Sequence, residues 1–122
     1  MADIVQSPRR SSVVLQLQSN AAGTGTGTPV NLRDNPFGIL VLQLIDNNSW
    51  GGTVSFQGTI DDSNWFAVGG TRLDTQALVT SLASSTDKPC VRFDVSGLSQ
   101  FRANVTAYGS GTMNVYGHGL CF

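Results

Sequence analysis

Few residues in this sequence could take part in acid–base or nucleophilic chemistry. His118 is the single histidine, and it stands between Gly117 and Gly119. A catalytic triad would need a serine or cysteine within hydrogen-bond reach of that ring and a carboxylate to orient it. The chain contains no nucleophile-elbow motif. The sequence therefore predicts a protein that is not an enzyme and has no catalytic residues, with His118 as a surface or interface histidine.

The aspartates are the next candidates for chemistry. Asp61, Asp62 and Asn64 form a dense group of oxygen-bearing side chains, but their spacing does not match an EF-hand loop. Short polar side chains also cap backbone groups in turns, and we expect that role here. A carboxylate pair for glycoside hydrolysis is an alternative. Its members would come from aspartates predicted at turns or on outward strand positions: Asp46, Asp61, Asp62, Asp74 and Asp94.

Cys90 and Cys121 are the two cysteines. The N-terminal sequence lacks the apolar stretch of a signal peptide, and cysteines in a reducing compartment are usually free thiols. A bridge that ties the C-terminal tail to the strand around Cys90 is the alternative. Two distant cysteines and one histidine do not complete a zinc site. The sequence predicts no metal and no cofactor.

Two further stretches could bind small ligands. Residues 21–28, AAGTGTGT, form a flexible, glycine-rich loop, but no lysine follows it as a phosphate site would require. Trp50, in a polar turn, and Trp65, at the start of a strand, could stack against sugar rings. Exposure of Trp50 beside polar side chains in a groove would distinguish a sugar site from core packing.

The composition limits the possible partners. Seven Lys and Arg against eight Asp and Glu give a net charge of −1, which offers no basic field for nucleic acid. No apolar run reaches the length of a membrane span. Charged residues make up 12% of the chain, about half the usual share. Because charge opposes association, this low share favours a protein that works packed in an assembly.

The hydrophobic pattern predicts an all-β fold. Residues 37–69 read as a meander, in which an apolar strand from Leu40 to Ile45 and an alternating strand from Thr53 to Ile60 are joined by a glycine-containing turn. Residues 101–108 and 113–118 form a second predicted hairpin around Gly109, Ser110 and Gly111. Residues 77–83 fit a short strand better than a helical turn.

These segments give about eight strands spaced by turns. We expect a two-sheet antiparallel β-sandwich, most simply a jelly roll, with an immunoglobulin-like sandwich as the alternative. Residues 12–122 would form this single domain. Residues 1–11 would form an extended N-terminal arm.

Two segments resemble a known family. The run GTVSFQGTIDDSNW, from Gly52 to Trp65, resembles a "GTVxFxGSxDGxxW" segment of small virion proteins of tailed bacteriophages, with Asp62 where glycine is usual. FDVSGL, from Phe93 to Leu98, and FRANVTAYGSGT, from Phe101 to Thr112, are similar to the partner segment "DVSGLxxxRVxVTAYxSGT". The resemblance implies a jelly-roll or β-sandwich protein of the virion, either a decoration protein of the head or a module of the tail or baseplate.

The resemblance implies a role in cementing the capsid. The protein would bind the major capsid protein and copies of itself, typically as a homotrimer at three-fold positions, after assembly in the host cytoplasm. The predicted contact residues are Arg9, Arg10, Thr24, Thr26, Trp50, Tyr108 and Tyr116. The alternative is a tail or baseplate module or a host-attachment module that binds a glycan.

Overall fold

The computed structural model describes residues 13–34, 37–83 and 88–120, and these form nine β-strands. All pairings between the strands are antiparallel, and the prediction of an all-β antiparallel protein is confirmed. None of the described residues belongs to a helix that could cross a lipid bilayer. The strands are β1 (Val13–Ala21), β2 (Val30–Asn31), β3 (Ile39–Thr59), β4 (Trp65–Ala67), β5 (Gly70–Arg72), β6 (Leu78–Val79), β7 (Ser81–Ala83), β8 (Cys90–Asp94) and β9 (Gln100–Leu120).

The two longest strands, β3 and β9, have 21 residues each and pair along their whole length. The predicted hairpins at residues 46–52 and 109–111 are therefore wrong. Neither stretch reverses its own chain, because each lies opposite the other, with Gly51 paired to Ser110 and Gly52 to Tyr108. The register shifts between Asn47 and Gly51 and again at Gly52, so the glycine-rich stretches form β-bulges at one point of the ribbon.

Glycine permits this irregular point because the ribbon is tightly packed there. A Cβ atom on Gly52 would overlap the Ala107 carbonyl oxygen and lie 2.8 Å from the Trp50 ring. The two halves of each long strand consequently belong to different parts of the sheet. This also explains why Gly52–Gly58 and Gly111–Gly117 have similar sequences, since each segment follows the bulged point of its own strand.

The sheet has two halves on either side of the bulged point. The larger half has strand order β1-β9-β3-β8-β5-β6 and uses the end of β9 and the beginning of β3. The smaller half uses the beginning of β9 and the end of β3, with β2 on one side and β4 and β7 on the other. Residues 78–83 also pass from the larger half to the smaller, because β6 pairs with β5 and β7 pairs with β3.

The two halves curl toward each other around one core. Phe93 of the larger half contacts Phe56 and Phe101 of the smaller half, with ring centroids 4.7 and 4.9 Å apart. Along one edge the Thr28 amide donates to the Leu17 carbonyl at 2.9 Å. The structure is thus one connected sheet curled on itself. The alternation predicts inward side chains for seven residues, of which Val91, Phe93, Val95, Phe101, Ala103 and Val105 are buried, whereas Ala107 is exposed. The core also contains Leu40, Leu42, Leu44, Val54, Phe56, Met113 and Val115.

The finer predictions about the fold have different outcomes. A single sheet connects all the described strands, so the division into two separate sheets and the jelly-roll topology are not confirmed. The predicted strand at residues 77–83 is confirmed as two short strands, β6 and β7. The predicted arm at residues 1–11 lies outside the described residues.

Candidate functional site

The glycine-rich loop presents two of the predicted contact residues. Thr24 and Thr26 are exposed. The loop is not free, however, because Gly25 and Val105 exchange backbone hydrogen bonds of 3.1 and 2.8 Å. The buried Gln18 amide donates to the Ala103 carbonyl at 2.6 Å and to the Gly25 carbonyl at 3.1 Å. Both threonines therefore project from a segment that is hydrogen-bonded to β9.

Trp50 is the predicted contact residue that the fold buries. Its side chain is 2% exposed, so its ring is not available to a partner or to a sugar. Its indole nitrogen is buried without a hydrogen-bond partner among the described residues. The sequence placed Trp50 in an exposed turn, and the bulged ribbon instead folds the ring against Gly52.

The two tyrosines remain accessible but lie on different parts of the surface. Tyr108 is 39% exposed beside the bulged point, where its hydroxyl donates to the Gly111 carbonyl at 3.0 Å. Tyr116 is 37% exposed on the larger half, where it pairs with Gln43. Arg9 and Arg10 lie outside the described residues. The structure thus does not bring the predicted contact residues together into one patch.

Asp61 acts as a turn cap. One of its carboxylate oxygens accepts hydrogen bonds from the amides of Asn64 and Ser63 at 2.8 and 2.9 Å. The Asn64 side chain donates to the other oxygen at 2.6 Å. The backbone bonds from Asn64 and Ser63 hold the pKa of the Asp61 carboxyl well below its ordinary value. This arrangement matches the expected turn, and its oxygens are occupied by protein donors.

Asp62 joins three segments of the chain. Its carboxylate accepts hydrogen bonds from the Ser99 hydroxyl at 2.7 Å and the Gln100 amide at 2.9 Å, and it forms an ion pair with Arg33. The bonds from Ser99 and Gln100 lower the pKa of its carboxyl. Asp62 has φ of 68°, a left-handed conformation that favours glycine. Aspartate tolerates this conformation better than most residues other than glycine, so the turn accommodates Asp62.

The remaining candidates for chemistry are dispersed. His118 is exposed on the larger half opposite Val41, and Cys90 is half-buried opposite Gln43. Within residues 13–34, 37–83 and 88–120, no group of three His, Cys, Asp or Glu side chains could hold a metal ion. Asp74 is paired with Arg72 at 2.8 Å. Cys121 lies outside the described residues, so the prediction of free thiols and the alternative of a bridge to Cys90 both stay untested.

The outer face of the smaller half is polar. This face carries the side chains of Ser55, Gln57, Asn104 and Thr106. The side-chain oxygen of Gln57 accepts a hydrogen bond from the Arg102 guanidinium at 2.8 Å. The Arg102 guanidinium lies 3.9 Å from the centroid of the Trp65 ring, a cation–π contact. Partial burial lowers the pKa of this guanidinium. One face of the Trp65 ring is therefore covered by the guanidinium, and that face is not available to stack against a sugar ring.

The outer face of the larger half combines apolar and polar side chains. Directly paired residues in antiparallel strands point to the same side, so the register arranges this face in rows. One row crosses five strands as Leu78, Thr71, Arg92, Val41 and His118. A second row crosses four strands as Cys90, Gln43, Tyr116 and Gln16.

This face has no second layer of described residues above it. Ile39, Val41 and Ile45 are half-buried on it, and Leu78 is 77% exposed at its edge. The sequence analysis placed Ile39, Val41 and Ile45 together on one side of their strand. It did not connect them to Leu78 or Arg92, because those residues become neighbours only through pairings distant in sequence.

Comparisons with known proteins show the fold. No protein-family model and no curated protein matches the sequence. The SPBc2 prophage-derived protein YomS has a similar structure, with a TM-score of 0.81 and 16% sequence identity, covering 98% of this chain and 99% of that one. The PBSX exported protein XepA is also similar, with a TM-score of 0.80 and 14% identity over 98% of this chain. The chain spans 45% of the length of XepA.

Proposed function

We propose that this chain is a non-enzymatic structural protein of a bacteriophage virion that works by binding other proteins. The observation that supports this most strongly is the similarity to the prophage-derived protein YomS over nearly the full length of both chains. The low share of charged residues also fits a protein that functions in an assembly. We also propose that the curled sheet corresponds to the β-sandwich or jelly roll of the virion proteins that the sequence resembles.

Within that class, we favour a decoration protein of the head. Many copies would bind across the joints between capsomers, and the buried interface area would raise the free energy needed to separate them. The partners would be the major capsid protein and further copies of this chain, arranged as a trimer at three-fold positions. Thr24, Thr26 and Tyr108 project from the described surface and could contact the capsid.

The decisive experiment is binding of the purified protein to expanded, undecorated heads, followed by sedimentation and imaging. Saturable binding at fixed lattice positions is the expected result. Removal of residues 1–11 should abolish this binding and leave the melting temperature nearly unchanged, because the arm precedes the described strands. Absence of binding to heads, with the protein found on tails, would contradict the decoration role and support a tail or baseplate module.

A glycan-binding role in host attachment is less well supported. It required an exposed Trp50, and Trp50 is 2% exposed. Trp65 is partly accessible but carries the Arg102 guanidinium on its ring. Binding of the purified protein to a glycan array with loss of binding in Trp65→Ala would reverse this preference.

A further inference from the structure

Strand β3 changes character where it passes the bulged point. In the smaller half the outward side chains are polar, as Ser55, Gln57 and Asn104 illustrate, whereas in the larger half β3 directs Ile39, Val41 and Ile45 outward. Apart from Gln43, β3 is thus apolar on both sides in the larger half, since Leu40, Leu42 and Leu44 are buried beneath. Strands that are apolar on both sides are typical of sheets covered on both sides.

The face also has features that match a copy of itself. Arg92 and Asp94 lie two residues apart on β8 and are both exposed on it. The Asp94 carboxylate accepts from the Ser96 amide at 3.1 Å. In a two-fold interface each residue meets its counterpart reciprocally, so Arg92 of one copy can pair with Asp94 of the other, and the reverse. A surface with one cation and one anion side by side is complementary to itself.

The face has both a projection and a recess, which would allow two copies to fit together. Leu78 projects at one edge with 77% of its side chain exposed. Beside it lies an open groove of about 550 Å³, which Ile39, Thr71, Arg92 and Asp94 line together with residues of the β5–β6 turn. A projection beside a recess allows two copies to interlock.

The area of the face suits a weak, concentration-dependent contact. The larger half spans six strands, which at about 4.8 Å between strands gives a width of about 24 Å. From Ile39 to Ile45 the strand rises about 20 Å, at about 3.4 Å per residue. Because β5 and β6 are only three and two residues long, two such faces would bury less than about 1,000 Å² in total, which is the range of weak interfaces. With a net charge of −1, two copies repel each other little.

We propose that the outer face of the larger half is the surface through which two copies of this chain associate. Val41 and Tyr116 lie at the centre of the contact, Leu78 lies at its rim, and the Arg92–Asp94 pairs fix the two-fold orientation. On the head this two-fold contact would join copies that belong to neighbouring trimers, so it adds to the three-fold arrangement of the proposed function and rests on that function only for its biological purpose. Association of the purified chain can be measured without any head or tail.

The first test is the molar mass of the purified protein by sedimentation equilibrium and light scattering. We expect a concentration-dependent dimer. Leu78→Glu should make the chain monomeric over the same range, and its melting temperature as a dilute monomer should change little because Leu78 is exposed. The matched control is Thr106→Glu, which adds the same charge to an exposed position of the polar outer face and should leave the dimer intact.

The second test uses the charges. Arg92→Asp and Asp94→Arg should each weaken the dimer at least tenfold, since each variant brings like charges together across the two-fold. The double variant should recover most of the affinity, because it restores opposite charges with their positions exchanged. Such recovery requires pairing between copies and would not follow from a loss of folding.

The outcomes separate the two proposals. A wild-type chain that is still monomeric at a concentration of about 1 mM would overturn this inference. Its Kd would then exceed about 1 mM, which corresponds to an association free energy of only about 4 kcal/mol. A dimer that survives Leu78→Glu and both charge variants would overturn it as well. If the wild-type chain is monomeric but binds heads, and Leu78→Glu removes that binding, the face contacts a capsid protein. The inference then fails and the proposed function stands. If the dimer behaves as expected but heads are not bound, the proposed decoration role fails and this inference stands.

Discussion

At the scale of single residues, the acidic turn shows how carboxylates that look functional can be structural. Asp61 and Asp62 are adjacent, yet their oxygens face different donors. Asp61 accepts bonds within its own turn, whereas Asp62 reaches Ser99 and Gln100 at the beginning of β9. Each carboxylate is stabilised in its charged form by these donors. The turn therefore contributes to folding only while both groups are ionised.

This predicts a specific dependence of stability on pH. The pKa of Asp61 is lowered in the folded protein, so below about pH 4, the ordinary value for aspartate, the unfolded chain binds more protons than the folded chain. The contribution of Asp61 is therefore complete above that pH and is lost as the pH falls toward the folded-state pKa. Thermal melts should show the midpoint of the wild type falling more steeply in acid than that of Asp61→Asn. Parallel curves for the two proteins would contradict the role of Asp61.

The sequence predicted some of these residue roles and missed others. Short polar residues before Trp65 indicated a turn with capping side chains, because their chemistry acts over two or three residues. The burial of Trp50 could not be predicted in this way. Its neighbours Ser49 and Gly51 suggest a solvent-exposed turn, and the Gly52 backbone that covers the ring is in place only because Gly52 pairs with the distant Tyr108.

At the scale of elements, the glycine-rich loop is the connection that fastens β1 to the smaller half. Gly27 has φ of 63°, and a Cβ atom there would overlap the Leu17 carbonyl oxygen that accepts from Thr28. Gly23, in the same loop, has no atom within 4 Å of the place where a Cβ would lie. The two glycines thus have different structural roles despite their similar sequence surroundings.

We expect Gly27→Ala to lower the free energy of unfolding by more than about 1 kcal/mol, because the left-handed conformation alone costs an alanine about 1–2 kcal/mol. Gly23→Ala should change it by less than about 1 kcal/mol, and toward stabilisation, since it restricts the unfolded chain. Urea denaturation of the two variants measures the difference. Equal effects would mean that the loop is not held against Leu17.

The strand segments were more predictable than their connections. The alternation correctly identified Val54, Phe56, Phe101, Ala103 and Val105 as inward, because the period of two follows from strand geometry itself. It failed at Ile60 and Ala107, which are in phase with these residues but are exposed near the ends of their segments. The stretches around Gly51 and Gly109 were misread as hairpin turns. A glycine-rich polar stretch permits either a reversal or a bulge, and the choice depends on what lies opposite. Here the two stretches lie opposite each other, which a local pattern does not reveal.

At the scale of the whole molecule, the core joins both halves into one unit. Phe93 comes from the larger half, and the rings that it contacts, Phe56 and Phe101, come from the smaller half. All three side chains are at most 1% exposed. The halves share two continuous strands as well as this core, so neither half has an interior of its own.

Truncating Phe93 to alanine should therefore lower the free energy of unfolding of the whole domain by about 3–5 kcal/mol. We expect a single transition that is the same by tryptophan fluorescence and by circular dichroism. Phe93→Leu, which keeps most of the apolar volume, should cost clearly less. Separate transitions by the two probes would mean that the halves unfold independently, which would contradict a shared core.

The register at the edge of the larger half has a mechanical consequence. Val13 on β1 lies directly opposite Gly119 on β9, so the described chain enters and leaves the domain at one place. Tension applied through these two ends would load the β1–β9 hydrogen bonds one after another, as in opening a zipper. A sliding force along β3 and β9 would instead load all the bonds of the long ribbon at the same time. The fold thus yields easily when pulled by its ends and resists strongly when its two long strands are sheared.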